Sequence, residues 1–196
     1  PGAERRLEVV AREMRHRVKN VLSVANVLAR KTFGDTDRTT LARFSERLAA
    51  LAVATDMLGG GEADQADLRQ LIEAVIAPQL PDDRQGFVLS GPDVTVGPRT
   101  ASNLAMAIHE LATNAAKYGA LSVDQGSVSI EWNYDGTTLH MRWQERDGPA
   151  VSSPPKSGFG TVLLSQALFH APNTGELTFH PDGVRCDVTL VAGVSD

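Results

Sequence analysis

Ala107-Ile108-His109-Glu110-Leu111-Ala112-Thr113-Asn114-Ala115-Ala116-Lys117-Tyr118-Gly119-Ala120-Leu121-Ser122 carries polar residues that make little sense as packing. At helical pitch Glu110, Asn114 and Lys117 fall at i, i+4 and i+7, so a carboxylate, an amide and an ammonium line one stripe. Leu104, Ile108, Leu111 and Ala115 occupy a separate face suited to packing on a sheet. Hard cations and phosphates want acid, carboxamide and ammonium groups, and the stripe therefore points to nucleotide chemistry. Any solvated amphipathic helix also exposes such residues, so the surrounding chain has to choose between the two readings.

The helix bearing this stripe begins near Pro98, a favoured first-turn proline. Downstream, residues 127–134 and 138–144 alternate apolar and polar around Asp135-Gly136, a hairpin signal. A Gly, Pro and Ser-rich loop covers 148–160, a helix is expected over 161–170, and a last hairpin turns at Pro181-Asp182-Gly183. Upstream, 67–77 reads as a short helix stopped by Pro78, with short strands at 87–89 and 94–96 around Gly91-Pro92. This half is expected to be a two-layer α+β sandwich, strands in one layer and helices in the other.

The first half is different. From 5 to 32, Leu7, Val10, Met14, Val18, Val21, Ala25 and Leu28 recur in steps of three and four as a coiled-coil-like seam. Gly34-Asp35-Thr36-Asp37 breaks that helix, and Leu41, Phe44, Leu48, Leu51 and Leu58 mark a second, which stops at Gly59-Gly60-Gly61. Such a helical hairpin has too little core to stand alone, and is expected to dimerise into a four-helix bundle or pack on the remainder. The seam favours a homodimer, and coverage within one chain leaves a monomer open. The expected division is 1–61 and 62–196.

With 196 residues, 42% hydrophobic and 22% charged, the chain has room for one domain or two small ones. No apolar run approaches the roughly 20 residues that cross a bilayer, and the opening residues are charged rather than signal-like, so this segment is read as cytoplasmic with no membrane contact. The single cysteine, Cys186, lies in a strand-like run and reads as a small buried hydrophobe. A net charge of −5 supplies no basic field for nucleic acid. Opening on Pro1 with a charged helical pattern, the chain reads as a piece of a longer protein.

His16 lies two residues past the seam position Met14 and is expected to face water. Its helical neighbours are Arg12, Glu13, Lys19 and Asn20, and Arg15, Arg17 and Lys19 put positive charge where a polyphosphate would approach. A neutral imidazole is a competent nucleophile toward phosphorus, although most exposed histidines on basic helices are inert. Gly158-Phe159-Gly160-Thr161 opens a helix whose free N–H groups can meet phosphate oxygens. The preceding 152–157 segment reads as a lid with Lys156 as a phosphate contact, or as a plain surface connection.

Together these motifs resemble the catalytic core of an HWE-type sensor histidine kinase nearly end to end. EMRHRVKNVLSVANVLARKT resembles the family's phosphoacceptor box, FSERLAALAVATDML its second bundle helix, and HELATNAAKYGALS its N box. RWQERDGP resembles the Trp-x-Glu box and GFGT the glycine box, while His109, Trp143 and Glu145 match the residues that name the family. The resemblance implies a dimerisation and phosphotransfer hairpin joined to a Bergerat-type ATP-binding domain. It implies His16 as phosphoacceptor and Glu110 as the group polarising the nucleophile or a metal-bound water. Asn114 and Glu110 would hold Mg2+, Lys117 would contact phosphate, and Glu145 would accept a hydrogen bond from the adenine amino group. Tyr118, Gly148, Lys156, Gly158, Phe159, Gly160 and Thr161 complete the implied ATP site. Trp143 is expected to pack beneath it, and His109 to be structural or direct in equal measure.

Three positions depart from the family pattern: Asp147 where a glycine is usual, Thr55 where a histidine is frequent in the second helix, and Arg17 where many histidine kinases place an acid. The implied activity is autophosphorylation of His16 from Mg-ATP, followed by transfer to an aspartate on a response-regulator receiver domain, with a sensor domain N-terminal to this segment. Two alternatives stand beside it: a phosphotransfer or docking module whose ATP site has decayed, and an ATPase that hydrolyses rather than transfers.

Overall fold

A computed structural model describes residues 2–33, 38–58, 65–80, 86–150 and 173–191, with the backbone alone at 2–9, 11–13, 15 and 16. The expected 161–170 helix and the loop before it from 151 onward lie outside the described residues.

Helices α1 (Gly2–Phe33) and α2 (Arg38–Met57) form the hairpin. They run antiparallel, since Asn26 accepts a 2.8 Å bond from Ser45 while Lys19, nearer the start of α1, pairs with Asp56, nearer the end of α2. Of the apolar seam, the side of α1 turned toward α2 takes only Ala25 among the described side chains. Leu22, Ala25, Asn26 and Ala29 are half-buried, whereas Val10, Met14, Val18, Val21 and Leu28 stay exposed. The apolar residues of α2 go to the sandwich instead: Ala50 and Ala54 are buried, and Ala54 and Leu58 belong to the main core, with Val53 and Met57 packed against it. Of the two fates expected for the hairpin, α2 therefore takes the second and packs on the sandwich.

Strand β1 (Ala66–Asp67), which the apolar pattern does not announce, pairs antiparallel with β3 (Thr95–Val96) in a separate two-stranded ribbon. Asp67 then caps α3 (Leu68–Ile76), its carboxylate accepting 2.8 Å from the Gln70 N–H. Pro78 does not stop the chain at once but sits in a 3-10 turn, Ala77–Gln79. The main sheet contains β2 (Phe87–Ser90), β4 (Ser127–Tyr134), β5 (Thr138–Arg146), β6 (Thr174–His180) and β7 (Gly183–Val191), in the order β2-β4-β5-β7-β6. Only β2–β4 is parallel. The Asp135-Gly136 turn closes as its composition predicts: the Asp135 carboxylate accepts from the Thr137 and Thr138 N–H groups at 2.9 and 2.8 Å.

Period-two alternation sends Val128, Ile130, Trp132, Leu139, Met141, Trp143, Cys186 and Val188 to one face of the sheet, where they are buried. Helix α4 (Pro98–Tyr118) covers that face with Leu104, Ile108, Leu111 and Ala115, the set separated from the polar stripe by pitch alone. Helix α3 packs beside it through Leu68, Leu71 and Ile72. Across the sheet, His140, Arg142, Asp187 and Thr189 make a polar outer face, with Arg142 donating to Asp187 at 2.7 Å. The result is the two-layer α+β sandwich. Cys186 is buried, and burial pushes its thiol pKa up to about 12, which suits a packing role. Among the described residues, no helix is long and apolar enough to cross a membrane.

Candidate functional site

Helix α4 starts at Pro98 after Gly97 and ends where the Gly119 N–H bonds the Asn114 and Ala115 carbonyls, both at 3.1 Å. With one face fixed on the sheet, its polar stripe turns toward α2. There Glu110 is only 7% exposed and is held from two sides by one guanidinium. Arg47 donates through Nε to Oε1 at 2.5 Å and through Nη2 to Oε2 at 3.0 Å. One residue before Arg47, Glu46 lies 3.7 Å from the Lys117 ammonium, and one helical turn before it Arg43 donates to the Tyr118 hydroxyl at 3.5 Å. Asn114 remains exposed between these contacts.

The stripe expected from pitch is therefore divided. Glu110 is buried under α2, while Asn114, Lys117 and Tyr118 are exposed. Pitch alone cannot show this, because the covering helix lies more than sixty positions away in sequence. His109 is buried with Glu110, and desolvation pulls its pKa below 6.5 against the raising influence of Glu110 and Glu46. Burial thus favours the neutral imidazole in this packed joint. Thr113 Oγ1, one residue before Asn114, is buried without a hydrogen-bond partner and leaves an unused polar atom beside the stripe.

At the far end of α4 a second group of residues converges. Trp143 and Glu145 stand two apart on β5 and so share a face, and Trp143 Nε1 donates to Glu145 Oε1 at 3.3 Å. The other oxygen accepts from the Ala120 N–H at 2.9 Å, which ties the turn after α4 to the end of β5. Glu145 is 2% exposed, and burial raises its pKa despite these two bonds. Phe87 closes over Trp143 edge-on at 5.8 Å, so the indole packs beneath the corner as expected. Gly148 meets the same turn: a Cβ there would stand 2.7 Å from the Ala120 Cα. Gly119 lies so close to the Glu145 carboxylate that it has no room for a side chain. Sequence reading singled out Gly148 and Glu145 but not the Gly119-Ala120 backbone that joins them.

Asp147 adopts φ 56°, the left-handed region, which explains in physical terms why a glycine suits this position. Its side chain is exposed. Thr55 turns its hydroxyl back to the Leu51 carbonyl at 2.8 Å. His16 lies on α1 with its side chain outside the description, and Lys156, Gly158, Phe159, Gly160 and Thr161 lie wholly outside the described residues.

The donor set fits a magnesium nucleotide better than a protein-caged metal. Among the described residues, no group of three or more His, Cys, Asp or Glu side chains is placed to hold an ion. An exposed carboxamide beside an ammonium suits an octahedral ion that takes most of its ligands from phosphates and water.

Residues 13–93, which include His16, match the family described as HWE histidine kinase. Over 188 residues the chain is 37% identical to blue-light-activated histidine kinase 1 of Erythrobacter litoralis, covering 92% of this chain and 52% of that protein. It is 38% identical over 198 residues to the blue-light-activated histidine kinase of Brucella anthropi, covering 95% of this chain and 39% of the relative. The chain thus spans about half or less of the length of these relatives. Among solved structures, a histidine kinase domain from an Erythrobacter litoralis blue-light-activated kinase shares the fold, with a TM-score of 0.60 at 19% identity, covering 98% of this chain and 95% of that one. The chain thus carries an HWE histidine kinase segment over residues 13–93 and is similar over more than nine-tenths of its length to blue-light-activated histidine kinases, whose kinase domain shares its fold.

Proposed function

We propose that this chain is the phosphotransfer and ATP-binding core of a two-component sensor kinase, residues 1–61 carrying the acceptor and 62–196 the nucleotide. The observation that carries the reading is Asn114, exposed beside Lys117 on a helix whose opposite face is locked to the sheet. Asn114 offers its amide oxygen to Mg2+, and Lys117 offers its ammonium to phosphate. Magnesium, when bound with the nucleotide, neutralises charge on the phosphate oxygens. Glu110 orients the nucleophile, and a neutral nitrogen of His16 takes the γ-phosphoryl group. Glu145 fixes the Gly119-Ala120 turn beside the adenine end and keeps acceptor capacity there. Tyr118, Gly148, Lys156 and the Gly158-Phe159-Gly160-Thr161 turn enclose the rest of the nucleotide.

The phosphoryl group then passes to an aspartate of a receiver domain, and an N-terminal sensor sets the rate. The exposed apolar stripe from Val10 to Leu28 supports a homodimer through the hairpin, and a receiver-domain partner goes with a cytoplasmic setting.

Titration with Mg-ATP tests the binding half. Wild type should saturate below millimolar nucleotide, Asn114→Ala should bind at least about tenfold more weakly, and Asp147→Gly should bind more tightly because a negative charge leaves the neighbourhood of the proposed nucleotide site and the left-handed backbone there is relaxed. No binding by wild type at millimolar Mg-ATP would contradict the kinase reading in favour of a docking module.

A further inference from the structure

The Arg47–Glu110 pair joins two parts of the chain that the proposed chemistry must bring together. Arg47 belongs to the hairpin, Glu110 to the helix of the nucleotide stripe, and their side chains are only 19% and 10% exposed. A buried ion pair is a poor device for docking alone. Desolvating both groups is costly before any attraction is counted, and apolar residues of the same volume dock as well or better. Ala50 and Ala54 already supply apolar contact from the same helix. What the pair adds is geometry. A planar guanidinium engaging both carboxylate oxygens leaves the side chain one orientation, which a lysine or an apolar neighbour cannot impose.

The origin of the guanidinium matters as much as its shape. α2 is braced to α1 by Ser45–Asn26 and Lys19–Asp56, so the hairpin that orients Glu110 is also the one that carries His16. Glu46–Lys117 and Arg43–Tyr118 seat the same turns of α2 on the same end of α4.

We propose that Arg47 is a positioning residue for phosphoryl transfer, orienting Glu110 through its two-pronged bond only while the hairpin is seated on α4. This rests on the kinase reading above and adds to it a coincidence requirement: the carboxylate is set for chemistry when the acceptor-bearing hairpin is in place. ATP hydrolysis without an acceptor is thereby disfavoured.

The test compares wild type, Arg47→Lys and Arg47→Gln for the rate of histidine labelling from γ-labelled ATP and, separately, for Mg-ATP affinity. A misoriented carboxylate lowers the chemical step while leaving nucleotide contacts alone. Arg47→Gln should therefore lose about 10- to 100-fold in labelling rate with affinity within about threefold of wild type. Arg47→Lys, which keeps the charge and loses the fork, should fall between the two. If Arg47→Gln melts below the assay temperature, Arg47→Lys decides, through a reduced rate at unchanged affinity. An Arg47→Gln rate within twofold of wild type, a fall in affinity that parallels the rate, or an Arg47→Lys rate no better than that of Arg47→Gln would each overturn the proposal. Absence of label in wild type would overturn the kinase reading itself, a result distinct from these three.

Discussion

His109 is buried between α4 and α2 within reach of the charges on Glu46, Arg47, Glu110 and Lys117, and desolvation outweighs the carboxylates. Its folded pKa is depressed below 6.5, so the unfolded chain binds the proton first as pH falls. The stability contribution is whole above 6.5 and is lost as pH drops through that value toward the depressed one. Glu145 has the opposite sign. Its raised folded pKa makes its burial less costly at lower pH. In urea titrations between pH 7.5 and 5, wild type should therefore lose stability on the acid side and His109→Gln should lose less. Equal slopes for the two proteins would show that the imidazole is not the titrating group. The residues that name the family are legible in a sequence, but their work here is not. His109 and Glu145 read as ligand candidates until the helix above the first and the backbone amide beside the second are known.

At the scale of elements, the join between α4 and β5 depends on close approach. Gly119 ends the helix at φ −107°, an ordinary backbone value, so what excludes a side chain is the space taken by Glu145 and by Ala115, whose Cα would be 2.9 Å from a new Cβ. Gly119→Ala should destabilise the protein by about 1–3 kcal/mol, the range for overpacking a filled core. Because the same turn lies beside Glu145, the variant should also weaken Mg-ATP binding. A thermal melt and a titration on one preparation check both effects, and an unchanged melting temperature would show that the corner yields. Most elements were legible because their signals are local. Pro98 opens α4, Asp135-Gly136 turns β4 into β5, and alternation marks each long strand. β1 escaped detection because two residues have no period, and its partner strand lies nearly thirty positions downstream. The α1 seam was legible as a pattern, but the side of α1 that meets α2 was not.

At the scale of the molecule, the hairpin and the sandwich meet along α2 and α4, and polar contacts seat the part of that joint nearest the stripe. Three side chains of α2 meet three of the candidate site residues on α4. The hairpin proposed to carry the acceptor and the helix proposed to meet the nucleotide are thus in direct polar contact. The whole-chain relationship to histidine kinases was legible because its motifs are dispersed yet specific. The α2–α4 contact was not, because ion pairs between distant helices leave no periodic trace in a sequence.

The central claim is that Asn114 on α4 supports phosphorylation of His16 on α1. Incubation with γ-labelled ATP and magnesium, comparing wild type with His16→Ala and Asn114→Ala, tests it most directly. Wild type should acquire acid-labile, base-stable label, and both variants should lose it while keeping the wild-type circular dichroism spectrum. Label that persists in either folded variant would contradict the account.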